Sequence, residues 1–248
     1  MIKKEKSNFI FGTRTAIEAI RAGKEVDKIF IQKGLNNELF AELRKLIADG
    51  NIPHQFVPIE KLDRITGKNH QGVICFLSEI TFYNIENLLP GIYEKGTVPL
   101  LLILDKVTDV RNFGAICRTA ECSGVNAIII PTRGSAQINA DAVKTSAGAL
   151  QLIPVCREDN LKNTIIFLKE SGVQIVACTE KTDDYYYSLD FTQPTAIIMG
   201  SEEDGISGEY LKLCDHKAKI PLLGEIQSLN VSVACGVLLY EVVKQRVG

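Results

Sequence analysis

Three clusters of residues have the types and spacing to do chemistry. In the first, Arg111, Gly114 with Ala115, and Arg118 fall at i, i+3/i+4 and i+7, one face of a helix. Two planar guanidinium groups can grip a phosphate in bidentate fashion. The small residues between them let a ligand or another backbone approach closely. The same residues also suit a capped surface helix with solvated arginines. In the second cluster, Gly200-Ser-Glu-Glu-Asp-Gly205 places three carboxylates between two glycines directly after an apolar run. Crowded acids of this kind need solvent, a cation or arginine partners. The loop carries neither the GxGxxG dinucleotide fingerprint nor the GxxxxGK[ST] phosphate loop. In the third, Ser228, Asn230 and Ser232 open a helix that is apolar nearly all round up to Tyr240. Polar side chains beside the free N–H groups of a helix start make a polar pocket in an apolar setting. Capping by Ser228 alone would leave the other two without a role.

These clusters need elements to position them. Apolar runs predict strands at 99–104, 127–130, 173–177, 195–199 and 218–220, with helices at about 112–123, 140–146, 160–171, 208–214 and 229–245. Asn112 is expected near the cap of the first of these helices. Strands alternating with helices predict a parallel sheet in an α/β domain over 99–248. Each cluster then follows a strand, where open α/β sheets bind ligands. Upstream, strands at 26–31, 54–57 and 73–77 alternate with helices around 16–20, 38–48 and 59–65. Residues 1–80 therefore read as a small α/β domain. Residues 81–98, with Pro90-Gly91 and Lys95-Gly96, read as a linker.

Composition excludes several classes. With 46% hydrophobic and 23% charged residues, the 248-residue chain is neither disordered nor fibrous. Its longest clean apolar run, Pro99 to Leu104, is too short to span a bilayer, and the charged start lacks a signal-peptide core. A cytosolic protein without membrane attachment is expected. Seven cysteines, an odd count with no CxxC, and three scattered histidines argue against a disulfide framework or a metal site. Residues 1–80 carry 13 Lys and Arg against 10 Asp and Glu, a net of +3, while residues 81–248 carry 15 against 20, a net of −5. The basic residues available to touch phosphate in the first segment include Lys24, Lys28, Lys33, Arg44, Lys45, Arg64 and Lys68.

Taken together, NxGxxxRxA at Asn112, Gly114, Arg118 and Ala120, the stretch MGSEEDGI, and IPLLGEIQSLNVSVACG resemble, in this order, the three motifs of the SpoU/TrmH family of RNA 2′-O-ribose methyltransferases, within the SPOUT class. His70-Gln-Gly-Val73 is similar to the close of that family's L30e-like substrate-binding domain. The combination looks most like the bacterial enzymes that methylate a guanosine ribose in 23S rRNA. Within the second motif the chain departs from the family pattern at Glu203, Asp204 and Ile206.

The resemblance implies a C-terminal SPOUT domain with a deep trefoil knot, S-adenosylmethionine as cofactor, RNA as substrate and a homodimer. It implies a catalytic set of Asn112, Arg118, Glu202, Ser228, Asn230 and Ser232, with Gly200, Ile220 and Leu229 against the cofactor and no metal. Arg118 is the family's proposed base; since arginine stays protonated near neutral pH, positioning of a phosphate and the hydroxyl is its firmer role. A tRNA guanosine target, an inactive RNA-binding homologue and a dinucleotide-dependent oxidoreductase are the alternatives. The missing glycine fingerprint weighs against the last.

Overall fold

A computed structural model describes residues 9–201 and 203–247. The chain divides into two compact units between residues 81 and 82, with residues 138–140 grouped with the first. The first unit runs β1 (Phe9–Phe11), α1 (Thr13–Arg21), β2 (Val26–Gln32), α2 (Glu38–Asp49), β3 (His54–Val57), α3 (Ile59–Ile65) and β4 (Val73–Leu77). Its sheet has the order β1-β4-β2-β3. β4 lies antiparallel to both neighbours, while β2 and β3 are parallel.

Alternation along β2 sends Ile29 and Ile31 to a core with α1 and α2, and Phe30 to the opposite face with Leu62 of α3. Asn37 caps α2 by accepting the Phe40 N–H at 2.8 Å. The HQG stretch is a structural turn. Nδ1 of buried His70 accepts the Gly72 N–H at 3.0 Å, which leaves the proton on Nε2 to be donated to Asp63 at 2.9 Å.

The second unit continues with β5 (Phe82–Tyr83), α4 (Ile85–Glu94), β6 (Leu100–Leu104), α5 (Val110–Cys122), β7 (Ala127–Pro131), α6 (Ala140–Thr145) and β8 (Val155–Glu158). It closes with α7 (Leu161–Glu170), β9 (Gln174–Cys178), β10 (Thr195–Met199), α8 (Gly208–Leu211), β11 (His216–Ala218) and α9 (Val231–Val247). Its seven strands are ordered β11-β9-β10-β6-β7-β8-β5, and every neighbouring pair is parallel. The central strand β6 is buried along its whole length, as a strand covered on both faces must be. α4 and α7 supply one apolar cluster with Leu101, Ile103 and Ile129, and α5 packs against α9.

The stretch read as a linker, 81–98, is corrected here. β5 extends the second sheet by pairing with β8, and α4 buries Ile85, Leu89 and Ile92 in the second core. Pro90-Gly91, which reads as a break, is carried inside α4. The start of α4 is held by Glu158, whose Oε1 accepts the Ile85 N–H at 2.8 Å from 73 residues away. Strand β8 was not expected, and α9 starts two residues later than anticipated.

All seven cysteines are free thiols; Cys75, Cys117, Cys156 and Cys235 are buried and Cys122 is exposed. Among the described residues no helix is long and apolar enough to cross a membrane, and no cluster of His, Cys, Asp and Glu is placed to hold a metal.

Candidate active site

The site forms at the carboxyl ends of β6, β9 and β10. Asp105, 3% exposed, follows β6. Its N–H donates to the Met199 carbonyl at 2.8 Å, and its Oδ2 accepts the Ser207 N–H at 2.7 Å. One buried carboxylate thus ties the loop after β6 to the loop after β10.

The helix α5 is capped by Asp109, which accepts the Asn112 N–H at 2.8 Å. This corrects the expectation that Asn112 opens the helix. Because Asp109 does the capping, the Asn112 side chain is available for other work: its Oδ1 accepts the Asn230 amide at 3.0 Å.

Asn230, rather than Ser228, stands at the start of α9. Its Oδ1 accepts both the Ser232 N–H at 3.0 Å and the Ser232 hydroxyl at 2.5 Å. Asn112, Asn230 and Ser232 therefore make one hydrogen-bonded row across the starts of two helices.

After β10 the chain makes a tight turn. Ser201 and Gly205 exchange two backbone hydrogen bonds of 3.2 and 3.1 Å, and the Ser201 hydroxyl accepts the Asp204 N–H at 3.0 Å. Gly200 must be glycine, because an added Cβ would collide with the backbone of Gly205 and Ile206. Gly114 is small for a related reason: a Cβ there would lie 2.7 Å from the Thr145 side chain and 3.0 Å from the Ala142 carbonyl. Its bareness serves the packing of α5 on α6, the backbone alternative of the two readings above.

Two cavities flank this turn. One, of about 340 Å³, is lined by Thr179, Glu180, Met199, Gly200, Ile220, Ser228 and Leu229, among others. The other, of about 650 Å³, is lined by Lys106, Asp109, Asn112 and Arg133. Ser201, Glu203, Asp204 and Val231 belong to both walls. Gly200, Ile220, Leu229 and Ser228 thus meet in the first cavity and Asn112 stands in the second.

Arg118 lines neither cavity. It is exposed on α5, and six residues of helix rotate it about 120° away from Asn112. Within one chain the structure does not bring these two together. Glu202 lies outside the described residues.

Sequence reasoning missed the loop 178–181 and the cations Lys106 and Arg133. The rule that ligands gather at the carboxyl ends of parallel strands points to that loop, since it follows β9. Burial pushes the thiol of Cys178, in the first cavity wall, up to about 12.

The sequence and the fold have known counterparts. Residues 99–240 match the SpoU rRNA methylase family, and residues 9–83 match the domain described as RNA 2′-O ribose methyltransferase substrate binding. A protein of Staphylococcus saprophyticus carrying the name TrmH family tRNA/rRNA methyltransferase is 36% identical over 237 residues, 96% of this chain and 95% of its own. The crystal structure of the SpoU methyltransferase AviRb from Streptomyces viridochromogenes, in complex with AdoMet, aligns with a TM-score of 0.61 at 23% identity, covering 96% of this chain and 90% of that one. The A. aeolicus TrmH/SpoU tRNA modifying enzyme aligns with a TM-score of 0.56 at 32% identity over 65% of this chain and 84% of its own. The chain belongs to the SpoU/TrmH family of RNA methyltransferases.

Proposed function

We propose that this protein transfers a methyl group from S-adenosylmethionine to the ribose 2′-hydroxyl of a guanosine in 23S rRNA, in the cytoplasm. The observation that carries the reading is the pair of cavities sharing one wall, with Gly200, Ile220 and Leu229 on one side and Asn112 on the other. A volume of about 340 Å³ with mixed backbone and apolar lining fits a nucleoside-sized ligand. Bound there, S-adenosylmethionine supplies an electrophilic methyl group. The residues of the chain then have to hold the ribose in line and guide its proton away.

Asn112 and Asn230 orient each other, and Asn230 in turn fixes Ser232. Ser228 adds a hydroxyl from the cofactor wall, and Glu202 is proposed as a further catalytic carboxylate. Lys106 and Arg133 in the second cavity are suited to the phosphates beside the reacting ribose. Arg118, exposed on α5, holds a further phosphate. Gly200, Ile220 and Leu229 would hold the methyl donor, while Asn112 and Asn230 would orient the ribose hydroxyl toward it, its proton passing to solvent water. The separate first unit favours a large rRNA over tRNA as the target.

The test is incubation with isotopically labelled S-adenosylmethionine and either 23S rRNA or tRNA, followed by mapping of alkali-resistant riboses. One labelled rRNA guanosine is expected. Labelled tRNA alone moves the target to the runner-up, and cofactor binding without label in either RNA makes the chain an inactive homologue. Asn230→Ala should lower turnover by about two orders of magnitude, the size seen when one oriented polar group is lost. Its cofactor affinity should stay within a few-fold.

We also infer a homodimer. Val233 and Tyr240 are each 52% exposed and Val247 is 82% exposed, at i, i+7 and i+14 of α9. Leu223 and Ile226 stand fully or largely exposed in the loop before it. An apolar stripe on a helix that also supplies a cavity wall calls for a cover. Light scattering should give twice the chain mass in dilute solution, and Tyr240→Lys should shift the particle to a monomer. A fully active monomeric wild type would refute the dimer. The return of the chain from β11, at the sheet edge, to α9 against α5 is the segment to which we assign the knot.

A further inference from the structure

The first unit holds a cationic surface that the methyl-transfer site does not use. β1, β4 and β2 lay Phe9, Phe76 and Lys28 side by side, with Phe9 opposite Phe76 and Phe76 opposite Lys28 in register. The next row holds Phe11, Ile74 and Phe30. The rings interlock: Phe9 and Phe76 lie 5.8 Å apart between centres, and Phe30 meets Phe76 edge-on at 5.3 Å. α3 covers this face with Leu62 and Ile65, leaving Phe9, Phe11 and Phe76 only partly buried.

Lysines gather on these rings. The Lys61 ammonium, from α3, stands 4.5 Å from the centre of Phe30, and the Lys28 ammonium, from β2, stands 5.3 Å from the same ring and 5.5 Å from Phe76. Lys68 stands 5.7 Å from Phe11. Among the described residues none of the three has a carboxylate within ion-pair distance. The nearby Asp63 is engaged by His70, and Glu60 on α3 pairs with neither lysine.

Aromatic faces hold ammonium groups in place by cation–π attraction. Here they hold two ammonium groups against one ring, a concentration of positive charge suited to an anion. Lys28 is the telling residue: it is half-buried on the inner face of a strand, beside phenylalanines, where an apolar side chain would pack better.

We propose that this face of the first unit, centred on Lys28 and Lys61, seats the phosphodiester backbone of the RNA substrate. The ammonium groups already occupy the ring faces, so the contact is to phosphates and not by base stacking. Such contacts position an RNA without reading its sequence. The proposal rests on the RNA methyltransferase reading above, and names the surface by which the first unit serves it.

The experiment compares the full-length protein with Lys28→Gln/Lys61→Gln and with Lys28→Arg/Lys61→Arg. Binding to a 23S rRNA transcript is measured across a salt series, with S-adenosylmethionine affinity and thermal melting as controls. Each lost phosphate contact lowers the slope of log K against log salt by about one. The glutamine pair should therefore flatten the slope by about two and weaken RNA binding several-fold, with cofactor affinity and melting unchanged. The arginine pair should keep the wild-type slope. An unchanged slope in a folded glutamine variant overturns the proposal while leaving the methyltransferase reading intact. A wild-type protein that binds cofactor but shows no salt-dependent RNA binding overturns both.

Discussion

Gly200→Ala will cut affinity for S-adenosylmethionine by at least about 100-fold, roughly 2.7 kcal/mol, while the first unit stays folded. The added methyl has nowhere to go, because the atoms it meets are the Gly205 carbonyl group and the Ile206 nitrogen. These are backbone atoms, fixed by the two hydrogen bonds that close Ser201 on Gly205. No side chain can rotate away to absorb the strain. Overpacking costs about 1–3 kcal/mol even in adaptable cores, and here relief requires moving the turn itself. Ser201, Glu203 and Asp204 on that turn wall both cavities, so the displacement distorts both together. Isothermal titration of the purified variant measures the loss, and circular dichroism reports the fold. Cofactor affinity within threefold of wild type would show that the turn is not part of the cofactor wall.

The second large effect is on stability. Arg246, the penultimate residue of α9, donates to four carbonyls: Phe191 at 2.9 Å, Val98 at 2.8 Å, Pro99 at 3.1 Å and Gln193 at 2.8 Å. Its neighbour Gln245 adds a reciprocal pair, donating to Leu189 and accepting the Phe191 N–H. The segment before β6, the segment before β10 and the end of α9 are therefore joined through one guanidinium. Hydrogen bonds from a charged donor are worth about 1.5–3 kcal/mol each, and partial exposure lets water recover some of that. Arg246→Ala should cost on the order of 3 kcal/mol, a fall in melting temperature of roughly 6–12 °C for a domain of this size. Arg246→Lys should recover only a fraction, since a single ammonium cannot span the fork. Thermal melting followed by far-UV circular dichroism is the check; a shift under 2 °C, about half a kcal/mol, would mean that solvent replaces these bonds without loss.

Much of the arrangement was legible because its signals are local. Apolar runs set the positions of β2, β6, β7 and β10, and Asn37 announced the start of α2 by chemistry confined to one helical turn. The three clusters follow strands, and Gly200, Ile220 and Leu229 meet in one cavity, where Ser228, expected on the catalytic side, stands with them.

What escaped the sequence depends on distant partners. α4 looked like a tether because its stabilising contacts, Glu158 at its start and the second core beneath it, come from later in the chain. Asn112 looked like a cap because its competitor, Asp109, sits in the adjoining loop, and the Asn230 that claims its side chain is 118 residues away. The helical spacing of Arg111 and Arg118 was read rightly as one face, but spacing alone does not say that this face turns away from Asn112.

The stapling of α9 also sets an order of events during translation. The first unit is complete once residue 140 has emerged, whereas Val231 and Ala234 of α9 wall the first cavity and Arg246 fastens that helix. At about 5–20 residues per second, the interval between the two is roughly 5–21 s. A nascent chain in that interval already carries its lysine-bearing surface but has not yet closed the first cavity, whose wall includes Val231 and Ala234. If the lysine-bearing face seats RNA as proposed, a message truncated upstream of α9 would yield a chain that competes with the intact protein for RNA while lacking the last helix of the first cavity.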